Sequence, residues 1–170
     1  RFEEELFWVE EEGRLVQAGM LERAHGGTLF LDEVADMPMI TQGKILRVLT
    51  DQSFVRVGGD RQIRIDVRFV SATARNLPEE IEAGRFREDL YYRLNVVPIE
   101  IPPLHLRRED VPALADHYAA RFAAEQRIPP PVFSDDALIA LQACEWPGNV
   151  RQLRNIIERT IILAPADRLS

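Results

Sequence analysis

Gly26-Gly27-Thr28-Leu29-Phe30-Leu31-Asp32-Glu33-Val34-Ala35-Asp36-Met37-Pro38 decides how the rest of this sequence is read. Two glycines announce a run of apolar or β-prone residues, 28–31, and two carboxylates end it abruptly. The pattern predicts a short buried strand that delivers Asp32 and Glu33 to the edge of a sheet. Acids in that position suit two tasks, one holding Mg²⁺ and the other orienting a water. The same letters also fit a strand that runs into a solvated loop. The remaining chain has to choose.

Upstream, residues 1–12 are acidic around an apolar cluster of Leu6, Phe7, Trp8 and Val9, and Gly13 interrupts them. Residues 15–25 are expected to form a short helix that Gly26-Gly27 stops. Downstream, Pro38 suits the first turn of a helix running to Leu49, with Ile40, Ile45, Leu46 and Leu49 at helical spacing. Residues 54–57 and 63–66 read as strands joined through Gly58-Gly59-Asp60. Residues 67–72 form a second buried-strand candidate that ends at Thr73. Leu77-Pro78 opens a short helix closed by Gly84, residues 86–94 make another, and residues 96–101 are expected to be a third core strand. Pro102-Pro103 ends this region.

After Pro103 the pattern turns helical. Residues 110–126 are rich in Ala, with Leu114, Tyr118 and Phe122 in register. The run Pro129-Pro130-Pro131 is a stiff linker. Ser134 has the look of an N-cap, followed by Asp135 and Asp136 in a first turn. Trp146-Pro147-Gly148-Asn149 turns the chain into a last helix over residues 150–163. The expected organisation is an α/β part, residues 1–106, followed by a small helical part, residues 107–170.

Composition bounds the function. With 46% hydrophobic and 29% charged residues in a chain of 170, the sequence is globular and long enough for a core. A net charge of −7 argues against a nucleic-acid binder that works through a basic face. The single Cys144 excludes an internal disulfide and a cysteine zinc site, and its apolar surroundings, residues 138–146, predict a buried structural thiol. His25, His105 and His117 lack metal-ligand spacing. No stretch has the length of a membrane span, no signal peptide opens the chain, and a cytoplasmic setting is expected. The chain starts without Met inside a charged segment, so it is expected to be part of a longer protein.

Three constellations carry chemistry. Asp32 and Glu33 are the first, although no phosphate cradle precedes them. In the only Gly-Lys pair, Gly43-Lys44, Ile45 stands where Ser or Thr belongs and Pro38 where the first glycine belongs. The second is Gly84-Arg85-Phe86-Arg87-Glu88-Asp89-Leu90-Tyr91-Tyr92-Arg93-Leu94. A helix carrying Arg87 and Arg93 could stabilise charge on a transferring phosphoryl group, or could simply pair its arginines with acids on a wet face. The third is Trp146-Pro147-Gly148-Asn149-Val150-Arg151-Gln152-Leu153, where Arg151 falls in the first turns of a helix and could reach a phosphate, or lie on the surface beside a packed tryptophan.

In this order and spacing the three resemble the AAA+ domain of the sigma-54-dependent enhancer-binding proteins, the NtrC family. The resemblance runs from Glu5-Leu6-Phe7 through Leu46-Arg47-Val48-Leu49 and Arg56-Val57-Gly58-Gly59 to Gln152-Leu153. It implies a P-loop-type α/β fold of three layers, here its C-terminal portion, followed by a helical lid subdomain. It further implies that Asp32 and Glu33 are the Walker B pair, Asp32 supporting Mg²⁺ through water and Glu33 polarising the attacking water. Arg87 and Arg93 match the arginine fingers inserted into a neighbouring subunit's ATP site. Arg151 matches the sensor II arginine of the lid, which contacts the γ-phosphate. ATP would lie between the sheet edge and the lid, in homo-oligomers ranging from dimers to hexameric rings.

Two departures refine the resemblance. The sigma-54-contacting loop, Gly-Ala-Phe-Thr-Gly-Ala, should fall between Phe7 and Gly26, but that interval is short and lacks the motif. Ala74 stands where the sensor I Asn is usual. Both are similar to the NtrX branch of nitrogen-regulation response regulators. The implied function is an ATP-binding domain that sets oligomer geometry in a two-component transcriptional regulator, with DNA bound by a domain outside these residues. The alternatives are an active sigma-54 ATPase that remodels the closed promoter complex, and a weakly nucleotide-binding oligomerisation scaffold. An absent Walker A segment implies little ATPase activity from these residues alone.

Overall fold

The computed structural model describes Leu6, the backbone of residues 9–11 and 14–17, and residues 19–163. The chain divides between Pro98 and Ile99 into two units, each with its own apolar core.

The first unit begins with β1 (Val9–Glu11) and β2 (Arg14–Gln17), paired antiparallel with Glu11 opposite Arg14. The helix expected over residues 15–25 is therefore mostly wrong. Arg14-Leu15-Val16-Gln17 bonds its backbone to β1 instead of coiling, and among the described residues of that span only α1 (Met20–Arg23) is helical. Leu6 is buried in the core, while the side chains of Phe7, Trp8 and Val9 lie outside the described residues. Gly26 takes a positive φ of 77° that only glycine adopts cheaply, and its N–H donates to the Asp66 carbonyl at 2.7 Å.

β3 (Thr28–Leu31) follows at the expected place and pairs in parallel with β6 (Arg68–Ser71), Leu31 opposite Ser71. Both were expected to be buried, and alternate side chains of β3 are. Leu29 and Leu31 point into the core, whereas Phe30 and its register partner Val70 are exposed.

α2 (Met39–Asp51) starts after Pro38 and buries Thr41, Gln42, Ile45 and Val48 within the first unit. Ile40 faces away and is exposed. β4 (Ser53–Val55) and β5 (Gln62–Arg64) form the expected antiparallel pair. α3 (Leu77–Glu82) is capped by Asn76, whose side chain accepts from the Glu79 N–H at 3.4 Å. α4 (Glu88–Leu94) closes the unit, with Phe86 and Leu90 in the core.

The third core strand expected over residues 96–101 does not form. Val96, Val97, Ile99 and Ile101 are all exposed, and no described strand pairs with them. A run of β-branched residues supplies propensity, but a strand also needs an edge to bond.

The second unit packs α5 (Val111–Gln126), α6 (Asp135–Ala143) and α7 (Asn149–Leu163). Val111, Ala115, Ala119 and Ala123 form the buried stripe of α5, and these small side chains let α7 approach with Leu153, Ile157 and Ile161. The expected stripe of Leu114, Tyr118 and Phe122 flanks this contact, partly buried. Leu104 lies in this core, ahead of residue 107. The Ser134 hydroxyl accepts from the Ala137 N–H at 3.2 Å, the expected cap. Trp146 is buried and donates its indole N–H to the Leu141 carbonyl at 2.7 Å. Cys144, expected inside, is exposed at the end of α6, because Trp146 takes the interior position at this turn. Among the described residues no helix is long and apolar enough to cross a membrane.

Candidate functional site

Parallel pairing places the carboxyl ends of β3 and β6 side by side, which is where open α/β sheets bind ligands. The ladder extends past the strands, the Ala72 N–H donating to the Leu31 carbonyl at 2.9 Å and the Val34 N–H to the Ala72 carbonyl at 3.0 Å. Between these bonds sit the two acids. Asp32 is exposed, and its carboxylate has no hydrogen bond or ion pair among the described residues. Glu33 takes a left-handed φ of 50°, a conformation that costs a residue with a side chain on the order of 1 kcal/mol. That turn swings its carboxylate onto the loop after β6. One oxygen accepts from the Thr73 hydroxyl, and the other accepts from the Ala74 N–H at 3.1 Å. The Thr73 oxygen in turn accepts from the Arg75 N–H at 3.1 Å, so its single proton is committed to Glu33. One acid is thus fixed and the other is free to take a ligand.

The donor set fits a magnesium–phosphate group. Among the described residues no cluster of three or more His, Cys, Asp or Glu could cage a metal ion. Mg²⁺ is commonly held instead by one or two carboxylates plus phosphate oxygens and waters. A single unpaired carboxylate, Asp32, matches that mode. No glycine-rich phosphate cradle occurs among these residues.

Arg87 and Arg93 do not share a helix as expected. α4 starts at Glu88, so Arg87 sits at its N-cap in extended conformation and only Arg93 is helical. Their surroundings differ. The Arg87 guanidinium is gripped by Asp89, Nε donating to Oδ1 at 3.0 Å and Nη2 to Oδ2 at 2.9 Å. These bonds raise the Arg87 pKa and hold the Asp89 carboxyl below its ordinary value. Arg93 is exposed and makes no ion pair among the described residues. Arg151 lies in the first turn of α7 in the helical unit, exposed and also without an ion pair among the described residues. The structure therefore brings Asp32 and Glu33 together and leaves Arg151 in a different unit.

Sequence reasoning missed Thr73 and Gln42, whereas the Arg87–Asp89 pair is the arginine–acid pairing it held as the alternative reading. Thr73 follows a strand end, a position where a hydroxyl can bond the opposite loop, but nothing in the letters names its partner. Gln42 carried a clearer signal: it lies on the buried stripe of α2, three residues before Ile45 and seven before Leu49. A polar side chain there demands partners.

Known proteins resemble this chain over nearly its whole length. The model of the sigma-54 interaction domain matches residues 4–100, and that of the AAA+ ATPase lid domain matches residues 105–170. The nitrogen assimilation regulatory protein NtrX of Azorhizobium caulinodans is 56% identical over 98% of this chain, which spans 37% of that protein. The transcriptional regulatory protein ZraR of Salmonella typhimurium is 48% identical over 94% of this chain and 35% of its own length. The crystal structure of NtrX from Brucella abortus in complex with ATP aligns with a TM-score of 0.89 and 53% identity, over 96% of this chain and 36% of that one. This chain spans little more than a third of each of these proteins. It belongs to the sigma-54 interaction domain family, with an AAA+ core and an AAA+ lid.

Proposed function

We propose that this chain is the nucleotide-handling part of an NtrX-like transcriptional response regulator, with ATP and Mg²⁺ at the carboxyl ends of β3 and β6. The observation that carries the reading is the division of labour between two adjacent acids. Asp32 is unpaired and exposed, and Glu33 is clasped by Thr73 and Ala74. The likeness to an NtrX structure holding ATP supports the same ligand class.

When bound, the metal ion neutralises charge building on the phosphoryl oxygens. Asp32 would hold it through water. Glu33 would orient and polarise the attacking water, its own geometry kept by Thr73 in the absence of a sensor I amide at Ala74. Arg87 and Arg93 would reach the nucleotide of an adjacent subunit, and Arg151 the γ-phosphate. The nucleotide would thereby set oligomer geometry and the presentation of a DNA-binding domain elsewhere in the protein. The interval expected to carry a sigma-54-contacting loop holds the short β1–β2 pair and α1 instead, which favours regulation through oligomer geometry over direct remodelling of sigma-54 polymerase.

Equilibrium binding and steady-state hydrolysis of ATP by the complete protein test this reading. Glu33→Gln should bind Mg-ATP as wild type does while turnover drops by on the order of 10²-fold. Equal turnover in the two would remove Glu33 from the chemistry and leave a nucleotide-binding scaffold.

A further inference from the structure

The buried amide of Gln42 joins the two halves of the proposed chemistry. Its side chain is fully buried on α2 and makes three hydrogen bonds. Nε2 donates to the Met37 carbonyl at 2.8 Å and to the Arg85 carbonyl at 3.0 Å, and Oε1 accepts from the Arg87 N–H at 2.9 Å. The orientation is unambiguous, because a flipped amide would set its oxygen against two carbonyls. Met37 ends the turn that leaves Asp32 and Glu33, since its N–H donates to the Val34 carbonyl at 3.2 Å. Arg85 and Arg87 flank Phe86, which is buried in the core. One side chain therefore spans from the loop of the acids to the loop of the candidate finger.

The rest of the Arg85–Arg87 loop is built to hold that register. Arg85 turns outward and grips Glu80, Nε to Oε2 at 2.7 Å and Nη2 to Oε1 at 3.0 Å. Arg87 turns outward across α2, where its Nη1 would lie 3.6 Å from a Cβ on Gly43. Because α4 begins only at Glu88, no helical hydrogen bond fixes the Arg87 backbone from the N-terminal side. The Gln42 oxygen takes that place. Unlike an apolar residue at this buried position, the amide couples two loops that have no other described hydrogen bond between them.

We propose that Gln42 is a positioning residue for Arg87: it fixes the finger's backbone relative to the Asp32–Glu33 turn, so that acids and finger keep one geometry. The proposal rests on the nucleotide reading above and adds a residue to it. It differs from a plain packing role in one respect. A packing defect would impair only the subunit that carries it, whereas a displaced finger fails in the neighbour's site.

The test uses the complete protein and mixed oligomers. Gln42→Leu removes all three bonds. Gln42→Glu keeps the shape and the acceptor for the Arg87 N–H but loses the amide donors, and it carries the test should Gln42→Leu fail to fold. Either variant, mixed in equal amounts with Glu33→Gln subunits, should recover up to about a quarter of wild-type turnover, the share of head-to-tail interfaces that join an intact Glu33 to an intact finger. Each variant alone should stay near background with ATP affinity close to wild type. Arg87→Ala mixed with Glu33→Gln is the control. A readout free of turnover is amide hydrogen exchange at Arg87, which should quicken by about tenfold or more in Gln42→Leu while α7 is unchanged. Recovery in the control but not with the Gln42 variants overturns the positioning role and leaves the nucleotide reading standing. Unchanged exchange at Arg87 in a folded Gln42→Leu overturns it as well. Absence of turnover in wild type and in the control mixture removes both.

Discussion

The two units are held together by different physics. In the α/β unit, several polar side chains are wholly or partly buried and bonded: Gln42 to three backbone groups, the half-buried Glu33 to Thr73 and Ala74, and the nearly buried Glu80 carboxylate to Arg85. In the helical unit, the buried side chains are almost entirely apolar, with Leu104, Val111, Leu153 and Ile157 around a stripe of alanines, and polar groups mostly cap helix ends or the surface. Apolar packing is tolerant of position and strong in aggregate, whereas bonded polar networks tolerate little displacement and specify geometry. The contrast teaches where chemistry can be located. On the proposed reading, the groups that need a fixed geometry, Glu33 and Arg87, lie in the network, and Arg151 rides on a packed platform.

The largest expected effect that would break this contrast is at Arg87. In the complete protein, Arg87→Ala should lower ATP turnover by on the order of 10³-fold while leaving thermal stability and ATP affinity nearly unchanged. Enzyme assay and calorimetry read the two separately, and a loss of stability without loss of turnover would place Arg87 in the scaffold. Leu153→Ala should do the reverse. Truncating a fully buried leucine at the α5–α7 contact should destabilise the helical unit by about 2–5 kcal/mol in denaturant titration. Turnover per folded molecule should change far less. The smallest effect is in acid. The Arg85 guanidinium bonded to Glu80, with Arg75 nearby, holds the Glu80 carboxyl below its ordinary value, as Arg87 does for Asp89. Both folded values lie below the unfolded ones, so each pair contributes stability above the usual carboxylate range near pH 4 and loses it as pH falls through the depressed folded values. The pairs are largely solvated at their arginines, which keeps the effect small. Glu80→Gln should flatten that part of the acid-unfolding profile followed by circular dichroism.

How much could be read in advance follows the same division. β3 and its acids were legible because glycines bound the run and carboxylates end it. α5, α7 and the Ser134 cap were legible because a 3.6-residue period and a capping residue are local signals. Residues 15–17 were misread because so short a run shows no period of its own, and what makes it a strand is its pairing with residues 9–11. Residues 96–101 carry strand propensity, but no described strand offers them an edge. Cys144 was misplaced because Trp146, two positions on, competes for the interior. At the site, Asp32 and Glu33 could be named from spacing. The clasp by Thr73 and the reach of Gln42 across more than forty positions to Arg85 and Arg87 depend on tertiary pairing that no local pattern encodes.

The central claim is that Asp32 and Glu33 mark where a magnesium nucleotide sits. Titration of the complete protein with ATP, with and without Mg²⁺, in wild type and Asp32→Asn, tests it most directly. Wild type should bind ATP at least about tenfold more tightly with the metal than without, and Asp32→Asn should lose most of that difference while keeping metal-free binding. An unchanged magnesium dependence in Asp32→Asn would contradict the account.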